Sequence, residues 1–312
     1  MFRPRRASLR AEVARLGLRW FIRPRLHQPS LVHERRANRA LEALIPRPPR
    51  STRTTRVDAG GVAADWIVTP KSRDDRFVLF LHGGGYRTGS PATYRHFTWR
   101  IASAVGARVL AINYRLAPEH PFPAALDDAM SSYRWLLASG ADPRRVAVIG
   151  DSAGGGLALA LALKLRDEGI PLPAAVVALS PWTDLALTGA SLRRNARADP
   201  MLSAYDIPRF AEDYLLGADP RHPYASPLYG DLTGLPPTLL HVGSDEILRD
   251  DAVRMARRLR RANCRVELEI WPRMPHVWHA MAPFLPEARS AIARIGAFVT
   301  EAGRQHGDSE QK

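Results

Sequence analysis

The feature that most constrains this chain is a serine set between glycines where two apolar segments meet. Residues 146–149 form a short apolar run typical of a buried strand, and residues 157–165 are rich in alanine and leucine, as in a helix. Between them, residues 150–154 read Gly-Asp-Ser-Ala-Gly. Such a turn needs glycine on both sides, because a Cβ there would collide with neighbouring backbone. The pattern predicts a strained turn that presents the Ser152 hydroxyl above a sheet, beside the N-terminus of the following helix.

A glycine-rich segment upstream is predicted to complement this serine. Residues 77–81 are a continuous apolar run, and His82 with three consecutive glycines follows them. Because consecutive glycines let backbone amides turn toward a substrate oxygen, we predict an oxyanion hole formed by the amides of Gly83, Gly84 and Ala153. A phosphate-binding loop is the alternative, but the pattern G-x-x-x-x-G-K-[ST] is absent. His82 is expected to orient the loop and not to act as a base.

Three separated motifs in this order carry a family resemblance. They are His-Gly-Gly-Gly at 82–85, Tyr-Arg-Leu-Ala-Pro-Glu-His-Pro-Phe-Pro-Ala-Ala at 114–125 and Gly-Asp-Ser-Ala-Gly-Gly at 150–155. Over roughly residues 60–300 the chain resembles the bacterial hormone-sensitive-lipase-like esterases, a branch of the α/β-hydrolases, in the subgroup with Gly-Asp-Ser-Ala-Gly at the serine. The resemblance implies a mostly parallel central sheet with helices on both faces and a helical cap. It also implies a Ser-acid-His hydrolase that acts on carboxylic esters through an acyl-enzyme.

The predicted general base is His276. In α/β-hydrolases the acid and then the histidine follow the serine along the chain. His276 comes after a strand-like segment at 265–271, and it resembles the family's closing His-Gly-Phe motif with Val277 and Trp278 in the last two places. His279 is the alternative, but three residues further on it is expected to point elsewhere.

The predicted acid is Glu246, with Asp245 kept as the alternative. The family has Asp-Pro-Leu-x-Asp after the preceding strand, and its first aspartate orients the histidine. Aligned without gaps, Leu248 and Asp250 match this pattern and Glu246 takes the acid position, whereas Asp245 would need a one-residue insertion. A carboxylate of either length could accept the Nδ1–H of His276.

Segments between the motifs predict a doubly wound sheet and two cap segments. Residues 185–230 lack strand character and are predicted to form a second cap segment, in which Met201, Phe210 and Tyr214 contact substrate; ordinary cap packing is the alternative for each. Trp182 either borders the pocket or packs in the core. Strands are predicted near 55–58, 63–68, 77–81, 108–113, 146–150, 175–180, 237–242 and 265–271.

The N-terminal segment is strongly basic. Residues 1–56 contain 15 Arg and 3 Glu, so they account for +12 of the net charge of +14. The family resemblance implies N-terminal helices that form a cap over the active site, so we assign residues 1–55 to basic N-terminal cap helices, 56–302 to the catalytic domain and 303–312 to a frayed polar tail. One helical face carries an apolar stripe, which is predicted to cover the protein surface as part of the cap: Leu9, Val13, Leu16 and Trp20.

Two other partners are conceivable for the basic segment, an anionic membrane and nucleic acid. Weak contact with an anionic membrane is an alternative to the cap. Nucleic acid is not expected, since 42 Arg beside 3 Lys indicate a compositional bias more than selection for phosphate binding.

Composition favours a cytoplasmic enzyme. The single cysteine, Cys264, excludes an intrachain disulfide and indicates a reducing compartment. The longest apolar run, 157–163, is too short to span a bilayer, and Arg19 interrupts any signal-peptide core. No metal or other cofactor is expected, because the chain has no H-E-x-x-H pattern and no cysteine pair. A monomer or a homodimer is expected.

The leading functional interpretation is a carboxylesterase for small or medium acyl esters. A lactone hydrolase or an N-acetyl hydrolase with the same triad is the alternative, and some actinobacterial-type relatives with glutamate at the acid position favour it slightly. A third class is a ligand-binding protein on an inactive hydrolase scaffold, like the plant gibberellin receptors. Those receptors lack the histidine base, whereas His276 is present here.

Overall fold

The central element of the fold is a twisted, mostly parallel sheet. The computed structural model describes residues 7–26 and 30–308. Within them, eight strands lie in the order β1-β2-β4-β3-β5-β6-β7-β8. The pairs β1–β2 and β2–β4 are antiparallel, and the other neighbours are parallel. The strands are β1 Arg53–Asp58, β2 Ala63–Val68, β3 Arg73–Leu81, β4 Ala107–Ile112, β5 Val146–Asp151, β6 Ala175–Leu179, β7 Thr238–Gly243 and β8 Val266–Trp271. Each predicted strand is confirmed to within a few residues.

Helices cover both faces of this sheet, so its central strands are buried along their whole length. Every residue of β5, β6 and β7 is buried. Successive residues alternate between two apolar clusters, with Val148 and Leu240 in one and Ile149 and Leu239 in the other. This alternation follows from the two-residue period of a strand.

The described helices supply the two covering layers and the cap segments. α5, α6 and α9 contribute to the first cluster, and α4 and α10 to the second. A π-helical turn, Leu18–Ile22, joins α1 to α2. The helices are α1 Leu9–Gly17, α2 Arg23–Leu26, α3 Leu31–Leu44, α4 Pro91–Val105, α5 Ala124–Ala138, α6 Ala153–Asp167, α7 Ser191–Arg194, α8 Ile207–Leu215, α9 Arg249–Arg261 and α10 Pro286–Asp308.

The last helix extends into the predicted tail. α10 runs to Asp308, so the prediction of a frayed segment over 303–312 is wrong for 303–308. Ile295, Phe298 and Ala302 of α10 are buried against the second cluster, which anchors the helix up to its last turns. Residues 309–312 lie outside the described part of the chain.

The N-terminal helix contacts the rest of the chain with the face opposite to the predicted one. Ala11 and Arg15 are buried. The predicted contact residues form instead an outer stripe, between 59% and 81% exposed: Leu9, Val13, Leu16 and Trp20. The prediction that this stripe covers the protein is therefore wrong.

Hydrogen bonding of Arg15 explains the reversed face. Its guanidinium donates to the carbonyls of Arg273 (3.0 Å) and Ala198 (3.3 Å) and pairs with the Asp245 carboxylate at 2.9 Å. A buried guanidinium is stable where acceptors surround it. Apolar periodicity does not register such a contact, because it counts only apolar side chains.

The segment at 185–230 has the strand-free character that its sequence predicts. Within it lie α7, α8 and a 3₁₀ turn, Pro227–Tyr229. Arg19 and Arg23 donate to the carbonyls of Ala198 (3.2 Å) and Asp199 (3.1 Å), so the N-terminal helices pack against this segment. The division of the chain at residues 55, 185 and 230 stays a prediction.

Two glycines of α10 provide a stability test. A Cβ on Gly296 would overlap the Ala104 carbonyl of α4, whereas the nearest atom to a Cβ on Gly303 is 3.8 Å away. We expect Gly296→Ala to lower the free energy of unfolding by about 1–3 kcal/mol through overpacking. Gly303→Ala should raise it by up to about 1 kcal/mol through helix propensity. Thermal unfolding monitored by circular dichroism measures both changes, and equal shifts in the two variants would contradict the packing argument.

Candidate active site

The serine turn lies between β5 and α6 and is held by backbone contacts. Ser152 has φ 54° and ψ −121°, a conformation that costs a non-glycine residue about 1–3 kcal/mol. A Cβ on Gly150 would overlap the Gly154 carbonyl, and a Cβ on Gly154 would overlap the Leu81 carbonyl at the end of β3. Glycine at both positions therefore lets the start of α6 approach β3, while Ser152 stays half-buried.

The glycine loop after β3 offers a different pair of amides from the predicted pair. The Gly83 amide donates to Asp151 Oδ1 at 3.0 Å, so it is not free to bind an oxyanion, and the prediction for Gly83 is wrong. Among the described residues, the amides of Gly84, Gly85 and Ala153 donate to no protein acceptor. Gly84 and Gly85 both have positive φ, 117° and 61°, a backbone conformation that glycine adopts readily and other residues rarely do.

Asp151 connects the serine turn to the glycine loop, a contact that the sequence alone did not indicate. Its second oxygen accepts from the Tyr94 hydroxyl at 2.8 Å. Burial raises the pKa of Asp151 to about 7, although the hydrogen bonds from Tyr94 and Gly83 act in the opposite direction. The motif displays this aspartate beside the serine, but only the fold places Gly83 within its reach.

His82 has the orienting environment expected of it. Its Nδ1 lies 2.8 Å from the Gly83 carbonyl, and its ring stacks on Tyr114 with centroids 4.2 Å apart. The Tyr114 hydroxyl in turn donates to the His82 carbonyl at 2.7 Å. Burial lowers the pKa of His82 to about 4, so the ring is neutral at physiological pH and its Nδ1–H donates to Gly83.

Glu246 and His276 form a buried pair. The Oε2 atom of Glu246 lies 2.8 Å from His276 Nδ1. Its Oε1 atom accepts from the Ser180 hydroxyl at 2.8 Å and from the Gly243 amide at 2.5 Å. Burial alone would lower the pKa of His276, but the hydrogen bond and charge of Glu246 outweigh it, so this pKa lies above the ordinary histidine value. The pair therefore stabilises the charged form of His276 that arises when the ring accepts a proton.

Asp245 points away from this pair. Its Oδ1 accepts from the Ser244 hydroxyl at 2.7 Å, and its Oδ2 pairs with Arg15 at 2.9 Å. The fold thus brings Glu246 to His276 and directs Asp245 to the N-terminal helix.

His279 is buried on the sheet face that α4 and α10 cover. Its Nε2 lies 3.0 Å from His241 Nδ1, and its ring packs on Trp278 with centroids 4.0 Å apart. Burial lowers the pKa of His279 well below the ordinary value. This histidine packs in the core, as expected for the less favoured of the two candidates.

The predicted substrate-contacting residues occupy different environments. Tyr214 is fully buried and stacks on Tyr86 with centroids 3.7 Å apart, so it packs the cap against the glycine loop, and its contact with substrate stays a prediction. Phe210 is half-buried with its ring against Gly85, and Met201 is half-buried beside Asp199. Trp182 is fully buried, in agreement with core packing.

The second cap segment holds the loop that carries Glu246. Asp199 is buried, and its Oδ2 accepts from the Ile247 amide at 2.9 Å. Asn195 donates through Nδ2 to the carbonyls of Ser244 (3.1 Å) and Glu246 (2.8 Å). Neither contact was predicted, because polar side chains in a strand-free segment carry no periodic signal.

Two structural properties concern membranes and metals. Within the described ranges, none of the helices combines the length and hydropathy needed to cross a bilayer. In residues 7–26 and 30–308, histidine, cysteine and carboxylate side chains do not gather into a group that could hold a metal ion.

Comparison with known proteins places the chain in a class. Residues 78–280 match a family of α/β-hydrolase-fold proteins, and the strand order, the serine turn and the buried Glu246–His276 pair agree with that class. A crystal structure of an esterase from the bacterial hormone-sensitive lipase family superimposes with a TM-score of 0.90 at 46% identity, covering 95% of this chain and 98% of that one. The chain belongs to the bacterial hormone-sensitive lipase family and is a serine carboxylesterase.

Other relatives agree with this assignment. An acetyl-hydrolase from Streptomyces hygroscopicus is 51% identical over 246 residues, 79% of this chain and 82% of that protein. An esterase from Acinetobacter venetianus is 38% identical over 226 residues, 72% and 75% of the two chains. The crystal structure of EstE5 soaked with p-nitrophenyl butyrate has a TM-score of 0.91 at 41% identity, covering 96% of this chain and 100% of that one.

The titration of His276 tests the electrostatics of the site. Asp151 is one of the negative charges that raise its pKa, so Asp151→Asn should move the titration of His276 to lower pH. Asp245→Asn is the matched control, since that carboxylate faces Arg15 and should leave the titration unchanged. Imidazole NMR shifts followed against pH measure both variants. A lower pKa in the control alone would contradict the geometry.

Proposed function

We propose that Ser152 is the nucleophile, His276 the general base and Glu246 the acid of a catalytic triad. The observation that carries the proposal is the buried hydrogen bond from His276 Nδ1 to Glu246 Oε2, together with a strained serine turn. We further propose that Gly84, Gly85 and Ala153 form the oxyanion hole, because their amides have no protein acceptor among the described residues. In this proposal Gly85 replaces Gly83, which the sequence pattern predicts as a member of the oxyanion hole.

These residues can run ester hydrolysis in two half-reactions. Ser152 Oγ attacks the ester carbonyl carbon while His276 Nε2 takes its proton, and the three amides stabilise the resulting oxyanion. The tetrahedral intermediate collapses as His276 protonates the leaving alcohol, which leaves an acyl group on Ser152. Water then attacks the acyl-enzyme with His276 as base, releasing the acid and restoring the serine. Glu246 holds the imidazole in one tautomer and stabilises its charged form.

The proposed substrates are esters with small acyl groups, acetyl esters first. The relative at 51% identity is named an acetyl-hydrolase. In this chain the aromatic side chains of Tyr86, Trp182 and Tyr214 pack behind the glycine loop, and all three are buried. A filled space there favours short acyl chains over long ones. We propose that the enzyme acts in the cytoplasm, because its single cysteine indicates a reducing compartment.

Removal of an N-acetyl group is the second candidate. The name of the same relative does not distinguish an oxygen-linked from a nitrogen-linked acetyl group, and the proposed triad could serve both. Lactone hydrolysis uses the same steps, but no feature of the described residues favours it over linear esters.

A ladder of p-nitrophenyl esters from acetate to palmitate tests the substrate proposal. We expect kcat/KM to be highest for the shortest acyl chains. Ser152→Ala should keep the fold and lower kcat by about a million-fold. A maximum at long chains would contradict the acyl-size proposal, and substantial turnover by Ser152→Ala would contradict the nucleophile assignment. An N-acetyl anilide assayed beside the acetate ester separates the two candidates.

Two adjacent carboxylates give a matched test of the acid. Glu246→Gln should lower kcat by about 10³–10⁴-fold, because the amide no longer fixes and stabilises the imidazolium. Asp245→Asn removes a charge of the same sign one residue away but leaves His276 paired, so its effect on kcat should stay below tenfold. The opposite ranking would assign the acid role to Asp245.

A further inference from the structure

The outer stripe of the N-terminal helix is an apolar surface that the rest of the described chain does not cover. Leu9, Val13, Leu16 and Trp20 are 59–81% exposed on one side of α1 and the turn that follows it. Phe284, 65% exposed, lies three residues before Glu287, whose Oε1 accepts from the Ser8 amide at the start of α1. Single exposed apolar residues are ordinary, but four on one helical face are a feature of interaction surfaces.

Two exposed arginines lie on or beside the helix that carries this stripe. Arg10 on α1 and Arg197 in the adjoining cap segment are exposed, and neither pairs with a carboxylate among the described residues. The carbonyl of Arg197 accepts from Arg19 at 2.6 Å, which places residue 197 directly against the helix. The acidic residue of α1, Glu12, is neutralised by Arg273 at 2.7 Å. The sequence before the helix adds Arg3, Arg5 and Arg6.

We propose that α1 docks this enzyme on anionic lipid surfaces. An amphipathic helix with large apolar side chains on one face and arginines at its edge lies in the plane of a membrane, with its apolar face at the boundary of headgroups and acyl chains. Arg10 and Arg197 would contact lipid phosphates, each strengthening binding to an anionic surface. The helix lies on the surface and does not cross it.

The same charges argue against a second copy of the chain as the occupant. In a twofold dimer the same patch faces itself, so the unpaired Arg10 and Arg197 of the two copies would approach one another. A stable protein interface also takes about 20–30 residues on each side, far more than this stripe supplies. An anionic bilayer matches both the apolar face and the charge.

Docking would also bring the loop that carries Glu246 close to the lipid. The inner face of α1 carries Arg15, which bonds to Asp245, the neighbour of Glu246, and to the carbonyl of Ala198 in the second cap segment. Lipid bound to the outer face of α1 would therefore be separated from the loop that carries Glu246 by one helix diameter. Esters that partition into a membrane would meet the enzyme there.

Vesicle flotation tests the inference without any catalytic step. The full chain and its Ser152→Ala variant are mixed with vesicles of phosphatidylcholine alone or of phosphatidylcholine with 30% phosphatidylglycerol, at low and at physiological salt. We expect binding to the anionic vesicles, weakened by salt, and at least tenfold weaker partitioning for Leu16→Ser/Trp20→Ser. Arg10→Glu/Arg197→Glu should weaken it at least fivefold and only on anionic vesicles.

Matched controls separate docking from loss of structure. Leu216→Ser makes the same change at a leucine 67% exposed at the end of α8, and it should bind vesicles like the wild type. The double variants at Leu16/Trp20 and Arg10/Arg197 and the Leu216→Ser variant all keep Ser152, so each should retain wild-type turnover of p-nitrophenyl acetate in solution. Equal partitioning of wild type and Leu16→Ser/Trp20→Ser, or no preference for anionic vesicles, would overturn the inference. The inference would also be overturned if light scattering showed that the wild type is a dimer and that Leu16→Ser/Trp20→Ser is a monomer.

Discussion

The approach of the serine turn to the end of β3 is the contact on which the rest of the site depends. Gly154 lies so close to the Leu81 carbonyl that no side chain fits between them, and Gly150 is equally close to Gly154. This contact sets the position of Asp151, whose carboxylate then reaches the Gly83 amide. With the Gly83 amide occupied, the amides of Gly84 and Gly85 are the loop amides that have no protein acceptor among the described residues, which is why we propose them for the oxyanion hole. The strain at Ser152 is therefore maintained by packing that also organises the glycine loop.

Much of the fold could be predicted from the sequence, because its central strands are buried on both faces. Continuous apolar runs such as 146–149 have few other ways to fold, and β5 begins and ends within one residue of its prediction. The edge strand β1 was predicted two residues short, since Arg53 and Thr54 are exposed and carry no apolar signal. A different reason explains why the sequence could not predict which of the three adjacent glycines has its amide occupied. Their sequence environment is the same, and only Asp151, 68 positions further on, distinguishes them.

The orientation of the N-terminal helix shows where periodicity fails. A stripe of four large apolar residues would ordinarily be assigned to the protein interior. Here the interior face is built from Ala11, which allows close approach, and from Arg15, whose guanidinium satisfies two backbone carbonyls and Asp245. Arg19 and Arg23 bind further carbonyls of the second cap segment. Several arginines of this segment therefore donate hydrogen bonds to backbone carbonyls of neighbouring loops. Hydropathy scales do not include this kind of contact.

A close backbone contact at a glycine also shapes the part of the site that carries Asp245 and Glu246. A Cβ on Gly243 would overlap the Met274 carbonyl, so glycine at the end of β7 lets the loop before His276 pass close to it. The Gly243 amide then donates to Glu246 Oε1, which leaves Oε2 for His276. Asp245, one residue earlier, leaves the turn in the other direction and binds Arg15. A glycine contact at each of two strand ends thus directs a carboxylate: Asp151 to the glycine loop, and Glu246 to His276. Because Asp245 and Glu246 are neighbours in one turn, the N-terminal helix contacts, through Arg15, the same loop that holds Glu246 against His276.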